Sequence, residues 1–237
     1  MRVLELWRYP VKSLQGERVD ESEIGPRGLA GDRAYALFDV VTGLGLTARR
    51  APEMLFAAAR LLPDGDVEIT LPDGSVAADD AALSSWLGRP VRLLSTSEVV
   101  QRRYENPSDT ETEAPGSWGP FEGSAGAFHD SGSAAVTVLS TASADGEPTR
   151  RFRANVVVDD GGEDAFVGSD VRVGAAVLAV GMPIARCVMV TRAQPGGIGT
   201  DREVLRRIHR ERGGNLAVGG VVTASGPVRV GDEVSAG

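Results

Sequence analysis

Period-two alternation of apolar and polar residues dominates this chain, and helical periodicity surfaces only twice. Residues 2–8 set Val3, Leu4, Leu6 and Trp7 among polar neighbours, a strand pattern that Pro10 stops. Further strands are expected at 17–24, ending on Gly25 and Pro26, and at Ala34–Phe38. Val67–Leu71 alternates between two Pro-Asp-Gly turns, the pattern of a hairpin unit. Apolar runs at Val136–Leu139, Phe152–Val158, Ala176–Val180, Cys187–Val190, Leu216–Val222 and Val228–Val234 also read as strands. One helix is expected over Asp79–Leu87, capped by Asp79 or Asp80, with Leu83, Trp86 and Leu87 on one face and Gly88 closing it. A second follows residue 200, where Thr200 and Glu203 spell a capping box, Val204, Leu205 and Ile208 a stripe, and Gly213 an end. Many short strands with a few short helices predict a mainly β chain, barrel or sandwich at least in its second half. Residues 105–126, rich in Pro, Gly, Ser and acids, are expected to form a long loop.

With 237 residues the chain can bury a core without staples. A single cysteine excludes an internal disulfide, and the first residues show no leader pattern. No apolar stretch approaches the roughly 20 residues of a membrane helix. The expectation is a cytoplasmic protein with no membrane partner. A net charge of −8 argues against nucleic acid, which selects a basic footprint. Within the 25 basic residues Lys12 is the one lysine. Arginines crowd positions 202 to 212, a solvated face or a dock for an acidic electron donor.

Three clusters carry candidate chemistry. Tyr9-Pro10-Val11-Lys12-Ser13, followed by the turn that delivers Arg33, supplies the donors a phosphate needs. The same residues also fit a solvated basic turn with a surface ion pair. His129-Asp130-Ser131 and Arg153 with Asn155 stand where polar residues meet buried strands, as ligand contacts do at a barrel rim. On one strand, Arg153 and Asn155 would share a face, and a half-exposed polar face is the competing account. Cys187 follows Arg186 and precedes Val188-Met189-Val190. It fits a small buried hydrophobe, or a thiolate favoured by the adjacent guanidinium. One thiolate and two histidines cannot make a zinc site, but could bind a metal whose other ligands arrive on a cofactor. The glycine-rich Gly196–Gly199 segment lacks the order of a nucleotide loop.

Taken together, these clusters resemble the MOSC family in its two-part form. The resemblance rests on Tyr9–Ser13, Gly28–Arg33, Ala48-Arg49 before Pro52, His129–Ser131, Arg151–Asn155, Arg186-Cys187, Asn215 and Val228–Val234. It implies an N-terminal β-rich domain over residues 1–95 and a MOSC-type β-barrel domain over 96–237, with 105–126 a possible lid. Members such as the amidoxime-reducing components bind a molybdenum–molybdopterin cofactor and need no pyridoxal phosphate. Carried over, the resemblance implies cofactor contacts from Lys12, Ser13, Arg33, Asp130, Ser131, Arg153, Asn155 and Arg186. Cys187 would be the molybdenum ligand and catalytic residue. The implied activity is an oxidoreductase that reduces N-hydroxylated or N-oxide small molecules by oxygen-atom transfer. The ferredoxin-like extension of some bacterial relatives is not in this sequence. Electrons are therefore expected from a separate ferredoxin-, flavoprotein- or cytochrome-type donor. The family also contains the C-terminal region of molybdenum cofactor sulfurase, which implies a sulfur carrier with a persulfide on Cys187 as the alternative. A noncatalytic member binding another ligand is a third possibility. The sequence departs from the family at Ala154, where proline is usual, and at Thr191–Pro195 and Gly219–Val222.

Overall fold

The computed structural model describes residues 1–99, 101–107 and 117–237. Strands in the first part are β1 (Val3–Arg8), β2 (Glu17–Val19), β3 (Glu21–Gly25), β4 (Gly28–Leu29), β5 (Tyr35–Asp39), β6 (Ala58–Leu61), β7 (Val67–Thr70) and β8 (Val91–Ser95). They are followed by β9 (Arg103–Pro107), β10 (Trp118–Glu122), β11 (Val136–Ser140), β12 (Val156–Val158), β13 (Ser169–Val173), β14 (Ala176–Ala185), β15 (Asn215–Ala224), β16 (Gly226–Arg229) and β17 (Val234–Ala236). The α-helices are α1 (Asp80–Leu87), α2 (Thr141–Ala144) and α3 (Glu203–Arg212). The protein is mainly β, as its patterning predicts.

An eight-stranded sheet forms the frame, in the order β17-β13-β14-β15-β11-β12-β1-β2. It curls into a half-barrel. The strand β12 lies parallel to β11 and antiparallel to β1, so both its edges are bonded. Its three valines are all buried, which is why the run is uniformly apolar rather than alternating. The opening strand therefore belongs to the same sheet as the end of the chain, and β3 likewise pairs with β16. Valines and leucines of these strands make the main core. A second core, around Met54, Leu55 and Leu83, fills the space between β5–β8 and α1. The third joins α3 to the turn after Cys187 through Val190, Val204 and Ile208.

Local signals held where they were self-contained. The carboxylate of Asp79 accepts from Ala82 N at 2.9 Å, and Gly88 closes α1 with φ 63°. For α3 the capping box does not form. The helix starts at Glu203, too far along for Thr200 to cap it, and Asp201 accepts from Glu203 N at 2.8 Å instead. The strand expected at 17–24 breaks at Asp20 into β2 and β3, and Val228–Val234 is split by a turn between β16 and β17. Part of the expected 105–126 loop is a hairpin, β9 against β10. The possible lid is expected over the whole of 105–126, of which residues 108–116 lie outside the described residues.

Two corrections bear on the candidate residues. Thr149–Phe152 is a 3-10 turn, and Arg153 adopts φ 55°, so it does not share a strand face with Asn155. Nor is Cys187–Val190 a strand. Cys187 is extended and Val188–Thr191 winds into a 3-10 turn against α3.

Asn155 is 1% exposed and its amide binds the sheet together. The side-chain oxygen accepts from Thr137 N at 3.2 Å and from its hydroxyl at 3.1 Å, while Nδ2 donates to Trp7 O at 3.3 Å. Asn155→Ala strands these groups inside the sheet, with an expected loss of ~2–4 kcal/mol. Urea unfolding should show a lower midpoint at unchanged slope. An unmoved midpoint would show that the amide holds nothing together.

Candidate functional site

The site is assembled around Tyr9, which is 1% exposed. The Tyr9 N–H donates to Asp32 Oδ1 at 2.7 Å, and Tyr9 O accepts from Arg33 N at 2.7 Å. The guanidinium groups of Arg33 and Arg153 stand 5.1 and 4.3 Å from the Tyr9 ring centroid. Burial pushes the Tyr9 phenol up to about 12, so it stays neutral. Arg33 also forms an ion pair with Asp32, and Nη2 donates to Arg153 O at 3.4 Å. Burial pulls the Arg33 guanidinium down, but Asp32, Asp130 and Tyr9 together outweigh it and the net direction is up.

Three residues further on, Lys12 is 5% exposed and donates to Phe128 O at 3.0 Å. It also forms an ion pair with Asp130. That carboxylate is 89% exposed, yet the Lys12 ammonium holds it well below the usual carboxylate range. Lys12 Nζ lies 4.9 Å from the centroid of the Tyr104 ring. Arg153 Nη1 donates to Leu14 O at 2.6 Å, which ties the 150s to the opening motif. Ser13 sits between the two in a left-handed conformation. Of six non-glycine residues with positive φ among those described, Ser13, Arg33 and Arg153 are three. Backbone strain of this kind gathers where geometry serves a ligand.

Arg186 completes the cluster. Nε donates to Leu216 O and Nη1 to Phe152 O, both at 2.8 Å, while Nη2 is buried with no partner among the described residues. Neither Arg153 nor Arg186 forms an ion pair with a carboxylate among the described residues, and burial lowers each to about 10. Cys187 is free and half-buried. Arg186 is coupled electrostatically to Cys187, Tyr9 and Arg33. Lys12, Arg33, Arg153, Arg186, Asp130 and Cys187 thus share one electrostatic neighbourhood. Asn155 is committed to the sheet, and Ser131 sits in a turn, its hydroxyl 4.0 Å from Met182 Sδ.

Sequence reasoning passed over several contributors. Tyr9 and Asp32 lay inside quoted motifs without a role. Arg102 clamps the segment before Asp130 by donating to Ser124 O at 2.9 Å and to Gly126 O. Gln15 Nε2 donates to Leu55 O at 2.9 Å and to Gln194 Oε1 at 3.2 Å, which couples the second core to the 190s. Only a buried-polar argument could have found these, and polarity alone does not reveal burial. Clefts of about 310 and 380 Å³ flank α3 and share Glu211 and Arg212, away from Lys12.

Residues 1–105 match the MOSC N-terminal beta barrel domain, and residues 127–235 match the MOSC domain. The chain belongs to the MOSC family. Domains of this family are associated with molybdenum cofactor-related proteins. No curated protein matches the chain. Among solved structures, the YuaD protein from Bacillus subtilis is similar, with 12% identity over 98% of this chain and 93% of that one and a TM-score of 0.45. Among the described residues no helix is long and apolar enough to cross a membrane.

The Lys12–Asp130 pair in this MOSC protein predicts a pH signature. An aspartate near 3.9 when unfolded and depressed when folded contributes stability in full above that value and loses it as pH falls further. Wild type should therefore exceed Asp130→Asn in melting temperature near pH 7, with the gap closing on acidification below about pH 4. A gap that stays constant from neutral to acid would count against the pair.

Proposed function

We propose that the protein binds a molybdenum–molybdopterin cofactor and, in the cytoplasm, reduces N-hydroxylated or N-oxide compounds by oxygen-atom transfer, with electrons from a separate ferredoxin-, flavoprotein- or cytochrome-type donor. The observation that supports this most is the buried, unpartnered Nη2 of Arg186, beside a free cysteine and with no carboxylate to balance it. A desolvated cation without a counter-ion is a strong call for an anion. The donor set fits a phosphate and a polar, amide-edged ring system. Lys12, Ser13, Arg33 and Arg153 would hold the phosphate end, where planar guanidinium forks suit its oxygens. Asp130, Ser131 and Arg186 would meet the polar edge, while Asn155 keeps their strands in place. Cys187 would ligate the metal. Bound there, the cofactor supplies two-electron chemistry at a metal that can accept an oxygen atom. The chain's own part is to neutralise phosphate charge, fix the ring and keep water from the thiolate.

Elemental and pterin analysis of protein from a cofactor-competent host tests this. Wild type should carry molybdenum and pterin, and Arg186→Gln should lower retention about tenfold or more, the scale of an unpaired charge contact. Cys187→Ser should lose molybdenum while keeping pterin. Folded wild type free of both metal and pterin would defeat the reading.

A second reading, a sulfur carrier, draws on the exposure of Cys187 at the head of a turn, where an incoming thiol or persulfide can reach it. Mass spectrometry after incubation with a cysteine desulfurase separates the two. A one-sulfur increment on Cys187 without bound molybdenum supports the carrier.

A further inference from the structure

Tyr104 on β9 is 1% exposed, and its hydroxyl has no hydrogen-bond partner among the described residues. Buried phenols ordinarily find one. The ring is fixed from every side. Phe38 and Phe121 lie 6.2 and 5.6 Å away between centroids, and a methyl at Gly45 or Gly123 would overlap the ring. Two glycines and two aromatic rings form a slot that leaves the hydroxyl little freedom to seek a partner elsewhere. The Lys12 ammonium stands 4.9 Å from the ring centroid with the Asp130 carboxylate bonded to it, and the charges of Asp130 and Arg102 both act on the phenol. Burial, then the Asp130 charge, push the phenol far above its ordinary value. It is therefore a neutral donor near neutral pH.

We infer that Tyr104 is a further ligand-binding residue, whose hydroxyl donates a hydrogen bond to an oxygen of the anionic group that Lys12 attracts. The ligand chemistry is that of a phosphate or another oxyanion. A cation is repelled by Lys12, and an apolar group would leave the hydroxyl as unsatisfied as before. An oxyanion answers both the ammonium and the hydroxyl, while Asp130, open to solvent, is free to turn away from Lys12. The inference rests on the cofactor reading for the identity of the phosphate carrier, but not for the oxyanion itself.

Tyr104→Phe removes the hydroxyl and leaves the ring in its slot. In ligand-free protein, from a host that makes no cofactor, the variant should melt higher than wild type by roughly 2–8 °C, because an unsatisfied buried group is removed. Titration with inorganic phosphate should show affinity reduced about tenfold or more, the size of a hydrogen bond to a charged acceptor. Protein from a cofactor-competent host should retain less pterin per chain by a comparable factor. A structural tyrosine predicts the opposite sign in the first experiment and no change in the others. Equal phosphate affinity in both proteins, or a lower melting temperature for the ligand-free variant, would overturn the inference. Phosphate binding weakened by the substitution, in a wild type that never carries pterin, would support it while defeating the cofactor reading. Wild type that binds neither phosphate nor pterin would defeat both.

Discussion

Two guanidinium groups lie against one buried tyrosine ring, and the geometry of the site depends on keeping that arrangement together. Arg33 and Arg153 would repel each other in the interior. The π-face of Tyr9 attracts both, and Asp32 and two backbone carbonyls take up their donors. Fixing the ring fixes the segments that carry it. The Tyr9 backbone bonds residues 32 and 33, and the chain beyond it delivers Lys12 to Phe128 and Asp130. Arg153, reaching Leu14, brings the 150s to the same place. The left-handed backbones of Arg33 and Arg153 are tolerated because each is held by contacts from more than one direction, and that of Ser13 lies between Lys12 and Leu14, both anchored through their backbones.

The result is a concentration of positive charge inside an acidic protein. Asp32 and Asp130 answer Arg33 and Lys12, but among the described residues the hydrogen bonds of Arg153 and Arg186 go to carbonyl oxygens and their ring contacts to Tyr9 and Phe152, with no carboxylate paired to either. Such an imbalance is unfavourable for folding, and the oxyanion proposed to bind there would relieve it. On that proposal folding and ligand binding pull in different directions at this spot, as they commonly do where a site is built in advance of its ligand.

What could be read from the sequence followed the range of the interactions. The caps of α1 at Asp79 and Gly88 are local chemistry, and both formed. The valines of β12 announced a buried strand but not its partners, since pairing with β1 joins residues as far apart in the chain as Val3 and Val158. Arg153 and Asn155 were misplaced together because the 3-10 turn at Thr149–Phe152 carries no hydrophobic period to betray it. The polar composition around 105 concealed the β9–β10 hairpin, whose apolar content is little more than Tyr104, Trp118 and Phe121. The family motifs pointed to the residues that converge here, while Tyr104 lay in none of them. Its meaning emerged only from the space around its hydroxyl.

The pairing of β1 with β12 also has a bearing on biosynthesis. Val3 meets Val158, so the opening strand leaves the ribosome well before its partner exists. At about 5–20 residues per second, the nascent chain waits on the order of ten seconds with that strand able to pair only with β2. Glu5 and Arg8 within it, charges that discourage association with foreign edges, serve the growing polypeptide as much as the finished one. The two family domains are consecutive in the gene product, but closure of the first sheet is an event of the second domain's synthesis.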